Sequence, residues 1–173
     1  MVRLERRPST STPSMNLSLN ETHLMNCIDG MQLMDAESVD LVVTSPPYDD
    51  LRTYNDSSKW DHEVFKSVAD NLTRVLKNGG VIMWNVNDAT IKGSESGSSF
   101  RQCLYFMDQC GLRLHDTMIY EKTGTAFASG PKSVRYTQIF EYCFILSKGK
   151  PKTINLIQDK KNAWAGYTSF GNA

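Results

Sequence analysis

Apolar residues recur every three to four positions between residues 59 and 78, and this period predicts an amphipathic helix. The stretch Lys77-Asn78-Gly79-Gly80 is typical of a helix end. A second helix is predicted over about residues 98 to 110, before Gly111. The apolar stripes of the two helices are Val64, Phe65, Val68, Ala69, Leu72, Val75 and Leu76 in the first, and Phe100, Cys103, Leu104 and Met107 in the second.

Short apolar runs around these helices predict strands. The predicted strands are residues 23 to 28, 39 to 45, 81 to 86, about 114 to 121 and about 138 to 146. A brief helical turn is predicted at 30 to 34. Strands that alternate with helices and end in a strand pair indicate an α/β sheet.

The strand at 39 to 45 runs into the sequence Thr44-Ser45-Pro46-Pro47-Tyr48. Proline fixes its own φ, lacks an N–H and keeps the preceding residue out of the α region, so this doublet predicts a stiff, extended turn. Ligands of α/β sheets bind beyond the carboxyl ends of the strands. We therefore expect the turn to present Ser45 and a backbone carbonyl in fixed positions, with the Tyr48 ring beside them as an apolar wall.

Composition places the chain among ordinary soluble domains, with 173 residues, 40% of them apolar and 22% charged. Neither a membrane span nor a secretory signal is predicted, and the expected location is cytoplasmic. Residues 1 to 15 are rich in Ser, Thr and Pro, and we expect a disordered tail there. The four cysteines are scattered through apolar segments, which predicts buried reduced thiols and no metal site.

Charge is unevenly distributed, although the formal net charge is zero. From Lys122 to Lys161, only Glu141 and Asp159 oppose a series of basic residues. That series is Lys122, Lys132, Arg135, Lys148, Lys150, Lys152, Lys160 and Lys161. This part of the chain is expected either to face a polyanion or to be a solvated surface with no partner.

The turn and its surroundings resemble the DNA amino-methyltransferases, in which "TSPPY" after an aliphatic strand is motif IV. The resemblance covers about residues 22 to 152 and implies a partial class I S-adenosylmethionine-dependent methyltransferase sheet, Rossmann-like, with flanking helices. The catalytic subdomain would span 16 to 151, and 152 to 173 would begin a target-recognition region. The segments that carry the resemblance are "NCIDGMQLMDAESVDLVVTSPPYDDLRTY", "VADNLTRVLKNGGVIMWNVND" and "MIYEKTGTAFASGPKSVRYTQIFEYCFILSKGKP".

The resemblance implies catalytic roles for Ser45, Pro46, Pro47 and Tyr48. A base amine is a poor nucleophile because its lone pair is delocalised into the ring. The Ser45 side chain and the Pro46 carbonyl would accept its two N–H groups, and preorganised acceptors need not reorganise during the reaction. The Tyr48 ring would stack on a base rotated out of double-stranded DNA, and the amine would attack the sulfonium methyl group directly.

The resemblance also implies that Asn26, Asp29, Thr44 and Asn85 contact the cofactor, S-adenosylmethionine. Asn26 stands where the family often has an acidic residue near the adenosine, but an ordinary capping role is equally open. Asp29 is the alternative, one helical turn away. Asn85 and Asp88 end a predicted strand, and are expected either to contact cofactor or base or to make strand-end hydrogen bonds.

Duplex DNA with a flipped target base is the implied partner, in a restriction-modification setting. Asp49 and Asp50 are expected to be solvated loop residues, and Trp60 and Trp84 to be core residues. The residues expected to meet DNA phosphates are Lys132, Arg135, Lys148, Lys150 and Lys152.

The chain departs from the family pattern because it lacks a glycine-rich F-x-G-x-G cofactor loop. In the β group of the family the catalytic half comes first, so the chain resembles the first half of a β-type enzyme. With the family sheet order 3-2-1-4-5-7-6, it would contain strands 3, 4, 5, 6 and 7, with 23 to 28 as the first, and would leave unpaired edges. Either a truncated enzyme or a companion chain that supplies the remainder would explain this.

Three functions therefore stay open. The first is a DNA methyltransferase, for which Ser before Pro-Pro-Tyr favours cytosine N4 over adenine N6. The second is a non-catalytic truncated or partner subunit that binds nucleic acid or a companion chain. The third is an RNA or protein amide methyltransferase, since related turns serve other planar nitrogens.

Overall fold

The computed structural model describes residues 17 to 49, 60 to 123, 138 to 153 and 155. The predicted tail at 1 to 15 and most of the predicted recognition region lie outside the described residues. In chain order the elements are α1 (Cys27–Gln32), β1 (Val39–Thr44), α2 (His62–Val75), β2 (Leu76–Val86), β3 (Thr90–Ile91), β4 (Ser94–Glu95), α3 (Ser98–Asp108), β5 (Arg113–Glu121) and β6 (Phe140–Ser147).

Four strands form one mixed sheet in the order β1-β2-β6-β5, and β3 and β4 form a separate small hairpin. The strands β1 and β2 are parallel, while β6 runs antiparallel to both β2 and β5. The carboxyl ends of β1 and β2 therefore meet the amino end of β6 at one edge, which we call the turn edge. The predicted α/β class is confirmed, and the order corresponds to strands 4-5-7-6 of the arrangement that the resemblance implied.

The helices form where the apolar period predicted them. Asp61 caps α2, since one carboxylate oxygen accepts from the backbone N–H groups of Glu63 and Val64 at 3.0 Å each. Phe65 of α2 and Phe106 of α3 pack edge-on against Trp84 of β2, with ring centroids 5.9 and 5.2 Å away. All three rings are almost fully buried. Each such side chain contributes roughly 1.5 to 3 kcal/mol by leaving water.

The boundary between α2 and β2 differs from the prediction. The helix ends at Val75, and Leu76 is already extended (φ −69°, ψ 128°) and paired with Val39. Regular pairing resumes only at Leu41 with Val81. The glycines after Asn78 are therefore an irregular part of β2 instead of a helix end, and Gly79 has a φ of +85° that favours glycine.

The predicted strand at 23 to 28 is wrong. Asn26 accepts a 2.9 Å hydrogen bond from the N–H of Ile28 and so starts the helix α1. Leu24 and Met25 are exposed, so they have no sheet neighbour to pack against. Among the described residues no strand precedes Val39, and the family's strand 3 has no counterpart there.

One side of β1 lacks cover. Alternation along the strand points Val42 toward the helices and points Leu41 and Val43 to the opposite face. Those two side chains are 60% and 66% exposed, and β1 is one of the two edge strands of the described sheet, with β5 at the other edge. The predicted unpaired edge is thus present at β1.

The four cysteines are free thiols. Cys103 and Cys143 are buried as predicted, Cys110 is half-buried, and Cys27 is exposed, contrary to the prediction for that residue. Within the part of the chain that the structure describes, no helix combines the length and apolarity needed to cross a bilayer.

Candidate active site

The Pro-Pro turn directly follows β1 at the turn edge. Thr44, the last residue of β1, pairs with Trp84 of β2. Pro46 is buried, Pro47 and Tyr48 are half-buried, and Ser45 is exposed. The two prolines and the Tyr48 ring are thus held against the protein, whereas Ser45 is exposed. The sequence analysis expected a Pro-Pro turn at this place that presents Ser45.

A cleft of about 250 Å³ opens beside this turn. Its walls come from α1, β1, the turn, α2 and β2, and they are mainly apolar. The lining residues are Cys27, Met31, Val42, Thr44, Ser45, Pro46, Pro47, Trp60, Val68, Leu72 and Trp84. Trp60, predicted to be a core residue, is half-buried and forms part of this wall. Such a cleft suits a flat or apolar group that brings polar atoms to Ser45.

A hydrogen-bond network ties the turn to β2 and β6. The Tyr48 hydroxyl lies 2.8 Å from Ser45 Oγ and donates to Glu141 Oε2 at 2.8 Å. The side-chain amide of Asn85 donates to Tyr48 Oη at 2.9 Å and to Glu141 Oε2 at 2.6 Å. Lys122 Nζ lies 2.5 Å from Glu141 Oε1, and Cys143 Sγ donates to Asn85 Oδ1 at 2.8 Å. The turn thus depends on side chains from three strands or their ends.

The network controls the charge of its members. Burial by itself would raise the pKa of Glu141, but hydrogen bonds from Lys122, Tyr48 and Asn85 and the Lys122 charge outweigh it, so the pKa is lowered. Burial raises the pKa of Tyr48 to about 12, with a contribution from Glu141. Burial, and then the Glu141 charge, raises the pKa of the Cys143 thiol. At neutral pH Glu141 is therefore ionised, while the phenol and thiol keep their protons.

A second polar cluster anchors the start of α3. The Asp88 carboxylate accepts from the Ser99 backbone N–H at 2.9 Å and from the Ser99 hydroxyl at 2.7 Å. Burial opposes its charge, but the hydroxyls of Ser96, Ser98 and Ser99 lower the pKa of Asp88. Asp88 therefore makes structural hydrogen bonds, which is the second of the two roles expected for it.

Asp49 belongs to the same cluster. Its Oδ2 atom lies 2.6 Å from Ser96 Oγ and 2.8 Å from Ser98 Oγ. The expectation that Asp49 is solvated is wrong, because its carboxylate links the end of the Pro-Pro turn to the α3 N-terminus. Asp50 lies outside the described residues.

The four residues predicted to contact the cofactor occupy different settings. Thr44 lines the cleft. Asn26 caps α1, and Asp29 is exposed in the first turn of that helix. Asn85 uses its side-chain amide on Tyr48 and Glu141, as described above. Cofactor contact by these residues stays a prediction.

The lysines predicted to meet DNA lie at the far edge of the sheet. Because β6 runs antiparallel to β2, its last residue, Ser147, pairs with Val81, whereas Tyr142 pairs with Val86 at the turn edge. Five residues at ~3.3 Å each separate the two edges by about 17 Å. Lys148, Lys150 and Lys152 follow Ser147, so the fold does not bring them to the turn.

Lys148 also has local partners, since Nζ donates to the carbonyls of Thr73 and Leu76 at 3.1 and 3.0 Å. Lys132 and Arg135 lie outside the described residues. DNA contact by the five basic residues stays a prediction.

Sequence reasoning missed Glu141, Lys122 and Cys143 as parts of this site. The sequence offered one weak signal, which is that Glu141 is the single charged residue in the otherwise apolar or neutral run Phe140–Ser147. In the structure only 8% of its surface is exposed. A charged group is seldom buried without a partner.

Among the described residues, no cluster of His, Cys, Asp or Glu could hold a metal ion.

Known proteins resemble this chain in sequence. The sequence model of the DNA methylase family matches residues 39–170. The orphan methyltransferase M.BamHII of Bacillus amyloliquefaciens is 60% identical over 127 residues, which are 73% of this chain and 45% of that protein. The chain spans 45 to 53% of the length of the curated relatives that it matches, about half.

Solved structures show the same fold. The PvuII DNA methyltransferase (cytosine-N4-specific) superposes with a TM-score of 0.62 at 21% identity, over 75% of this chain and 50% of that one. A protein of Thermus thermophilus, solved with S-adenosyl-L-methionine, has a TM-score of 0.51 at 21% identity, over 76% of this chain and 56% of that one. With the family model matching most of its length, the chain belongs to the DNA methylase family of N6 and N4 amino-methyltransferases.

Proposed function

We propose that this chain is the catalytic half of a DNA methyltransferase that transfers a methyl group from S-adenosylmethionine to the exocyclic amine of a base. Family membership supports the reaction class. The observation that carries the proposal is the setting of Ser45, which is exposed at the rim of the cleft between the end of β1 and the buried Pro46.

The turn offers two acceptors to an amine. Ser45 Oγ and the Pro46 carbonyl belong to consecutive residues whose backbone the prolines restrict. An amine that donates one N–H to each acceptor keeps its lone pair pointing away from both. Because the acceptors are held before the substrate arrives, little reorganisation is needed when positive charge develops on nitrogen.

Tyr48 supplies the flat surface for the base. Its ring is half-buried against the core while its hydroxyl is fixed by the network at the turn edge. Stacking of a base on an aromatic ring is worth roughly 1 to 3 kcal/mol, which offsets part of the cost of taking the base out of the duplex.

The cofactor fits this chain only in part. When bound, S-adenosylmethionine supplies an electrophilic methyl group on sulfur. Thr44 and the apolar cleft suit the methyl-bearing end of such a molecule, but the sequence lacks the glycine-rich loop that would let the backbone approach its methionine part. We therefore assign cofactor binding to this chain together with the remaining half of the protein.

The uncovered side of β1 supports that division. Leu41 and Val43 are exposed on the edge strand β1, next to the cleft residue Val42. A further strand and its helices, from a longer polypeptide or from a companion chain, would cover them. In a duplex DNA complex, the completed site would then receive a flipped base between the turn and the added half.

For the base, we favour cytosine N4 over adenine N6. The residue before Pro-Pro-Tyr is serine, whose hydroxyl is neutral and can rotate, whereas a carboxylate at that place is a stronger and charged acceptor. In the family, serine goes more often with cytosine and Asp or Asn with adenine. Cytoplasmic location and a restriction-modification role are part of the same proposal.

The second candidate is a non-catalytic subunit that binds nucleic acid or a companion chain. It would hold if no other segment supplied the glycine-rich cofactor loop, because the methyl group cannot be transferred where the methyl donor is not bound. In that case the turn would be a retained structural feature of the sheet.

Product analysis tests these alternatives. The chain is combined with the part of M.BamHII that it does not match, and incubated with unmodified duplex DNA and methyl-labelled S-adenosylmethionine. Mass spectrometry of the digested DNA should find N4-methylcytosine. N6-methyladenine as the sole product would overturn the base assignment. DNA binding without any methylated nucleoside, although the two halves associate, would favour the non-catalytic subunit.

A further inference from the structure

We propose that Glu141 is a positioning residue for methyl transfer: through Tyr48 it sets the direction of the hydrogen bonds so that Ser45 Oγ faces the amine only as an acceptor. This inference rests on the proposed function. It concerns how the site keeps a rotatable hydroxyl in the one orientation that the reaction needs.

Glu141 is built into the sheet as an acceptor. It lies near the start of β6, with 8% of its surface exposed. One carboxylate oxygen faces the Tyr48 hydroxyl at 2.8 Å and the Asn85 amide at 2.6 Å, and the other faces Lys122 Nζ at 2.5 Å. An ionised carboxylate has no proton to give, so all three neighbours must donate to it.

The direction at Tyr48 follows from this. A phenol has one proton, and it is directed to Glu141. The Asn85 amide donates to the phenol oxygen at 2.9 Å. Ser45 Oγ lies 2.8 Å from the same phenol oxygen. Because the phenol proton is already used on Glu141, the hydrogen bond between Ser45 and Tyr48 forms only if the Ser45 hydroxyl donates. The Ser45 proton therefore points at Tyr48, and the lone pairs of Oγ face the cleft.

Asn85 fixes the same direction independently. Cys143 donates its thiol proton to Asn85 Oδ1 at 2.8 Å, which leaves the NH₂ end of the amide facing Tyr48 and Glu141. The thiol stays protonated at neutral pH because burial raises the pKa of Cys143. The Tyr48 hydroxyl thus accepts from the Asn85 amide and donates to the Glu141 carboxylate.

The chemical consequence is at the substrate. An exocyclic amine presents N–H donors, and a serine that turned its own proton toward them would repel them. Rotating that proton away during the reaction would add to the barrier, whereas a preset acceptor adds nothing. Without the carboxylate, Tyr48 can donate to Ser45, and the Ser45 proton is then free to point at the base.

Glu141→Gln reverses the direction with little change in shape. The charged Lys122 takes the amide oxygen, so the amide NH₂ faces Tyr48 and donates to its oxygen. In the enzyme completed with the M.BamHII segment, we expect kcat to fall at least tenfold with KM for DNA changed less than twofold. Tenfold corresponds to about 1.4 kcal/mol.

A double-mutant cycle separates positioning from general damage. In a Tyr48→Phe background the hydroxyl that links Glu141 to Ser45 is absent. Adding Glu141→Gln should therefore lower kcat less than twofold further. Glu121→Gln, at the exposed end of β5, is the matched control and should leave kcat unchanged. Full kcat in Glu141→Gln, or losses that multiply in the double variant, would overturn the inference.

A spectroscopic measurement on the 173-residue chain needs no activity. With ¹³Cζ-labelled tyrosine, the Tyr48 resonance is identified by its loss in Tyr48→Phe. It should move in Glu141→Gln and in Ser45→Ala but not in Glu121→Gln. If the completed protein never methylates DNA, the proposed function fails, and this resonance still decides the contact: a shift supports the hydrogen-bond direction, and an unmoved resonance in Glu141→Gln overturns it.

Discussion

The hydroxyl of Tyr48 donates a 2.8 Å hydrogen bond to the carboxylate of Glu141, 93 residues further along the chain. Tyr48 belongs to the turn after β1, and Glu141 belongs to β6, two strands away in the sheet. The turn is therefore not a self-contained loop. Its hydrogen bonds include one to β6, the last strand of the described sheet in chain order.

The pH dependence of stability should report this contact. Because the folded-state pKa of Glu141 lies below its ordinary value of 4.5, its stabilisation is fully present above that value and is lost as pH falls through the lowered folded value. Glu141→Gln should be less stable than wild type at pH 7, and the difference should shrink as the pH falls below about 4.5. Urea unfolding across this range measures it.

Glu121→Gln is the control for that series, since Glu121 is exposed at the end of β5. Its stability curve should run parallel to that of the wild type at every pH. A difference between Glu141→Gln and wild type that stayed constant down to pH 3 would contradict the assigned pKa direction.

A second stability prediction concerns the start of α3. Gly97 provides no side-chain cap, and Asp88 accepts the Ser99 backbone N–H in its place. Asp88→Ala leaves buried donors without that acceptor and should cost about 1 to 3 kcal/mol of unfolding free energy. Asp108→Ala, an exposed aspartate at the other end of α3, should change stability by less than ~0.5 kcal/mol.

Chemical denaturation of the two variants decides this point. Equal stability of Asp88→Ala and Asp108→Ala would show that the Asp88 contacts add nothing, and would return Asp88 to the alternative role at cofactor or base.

The exposed side of β1 gives a third prediction. An unpaired outer strand with apolar side chains favours association with another chain. The 173-residue chain should therefore self-associate with increasing concentration, and Leu41→Lys should shift it toward the monomer and weaken its union with the M.BamHII segment. Leu104→Lys is the control, because Leu104 is an exposed residue of α3. It should change neither the self-association nor the binding of the M.BamHII segment.

Sedimentation velocity at several concentrations measures the association. A wild-type chain that stays monomeric throughout, or equal effects of the two lysine substitutions, would contradict the assignment of β1 as the edge through which the chain associates.

Local pattern predicted much of the fold and the position of the turn. Helix α2 was visible because Phe65, Val68 and Leu72 share one face. Strands β1 and β2 were visible because each contains a short, largely apolar run, broken only by Asp40 in β1 and by Asn85 in β2. At α1 the helical turn predicted at 30 to 34 overlaps the observed helix, Cys27–Gln32, but its start was misplaced. The residues at 23 to 28 were taken for a strand, whereas the Asn26 side chain caps a helix there. Such short segments carry little periodicity.

The interior of the site was less visible to sequence reasoning. Glu141 meets Tyr48 and Asn85 across separations of 93 and 56 residues, and no local spacing encodes those contacts. Asp49 was taken for a solvated residue because its serine partners follow it by 47 and 49 residues. The edge reached by Lys148 depends on the direction of β6, which composition does not reveal.

The rate of methyl transfer by Ser45→Ala tests the central claim most directly. In the enzyme completed with the M.BamHII segment, a single turnover on unmodified duplex DNA is compared with that of Ser67→Ala, an exposed serine of α2 whose hydroxyl bonds only to the Glu63 carbonyl among the described contacts. If Ser45 holds the amine, Ser45→Ala should lower the rate by about 10² to 10³-fold, and Ser67→Ala should match wild type. Wild-type turnover in Ser45→Ala would contradict the account.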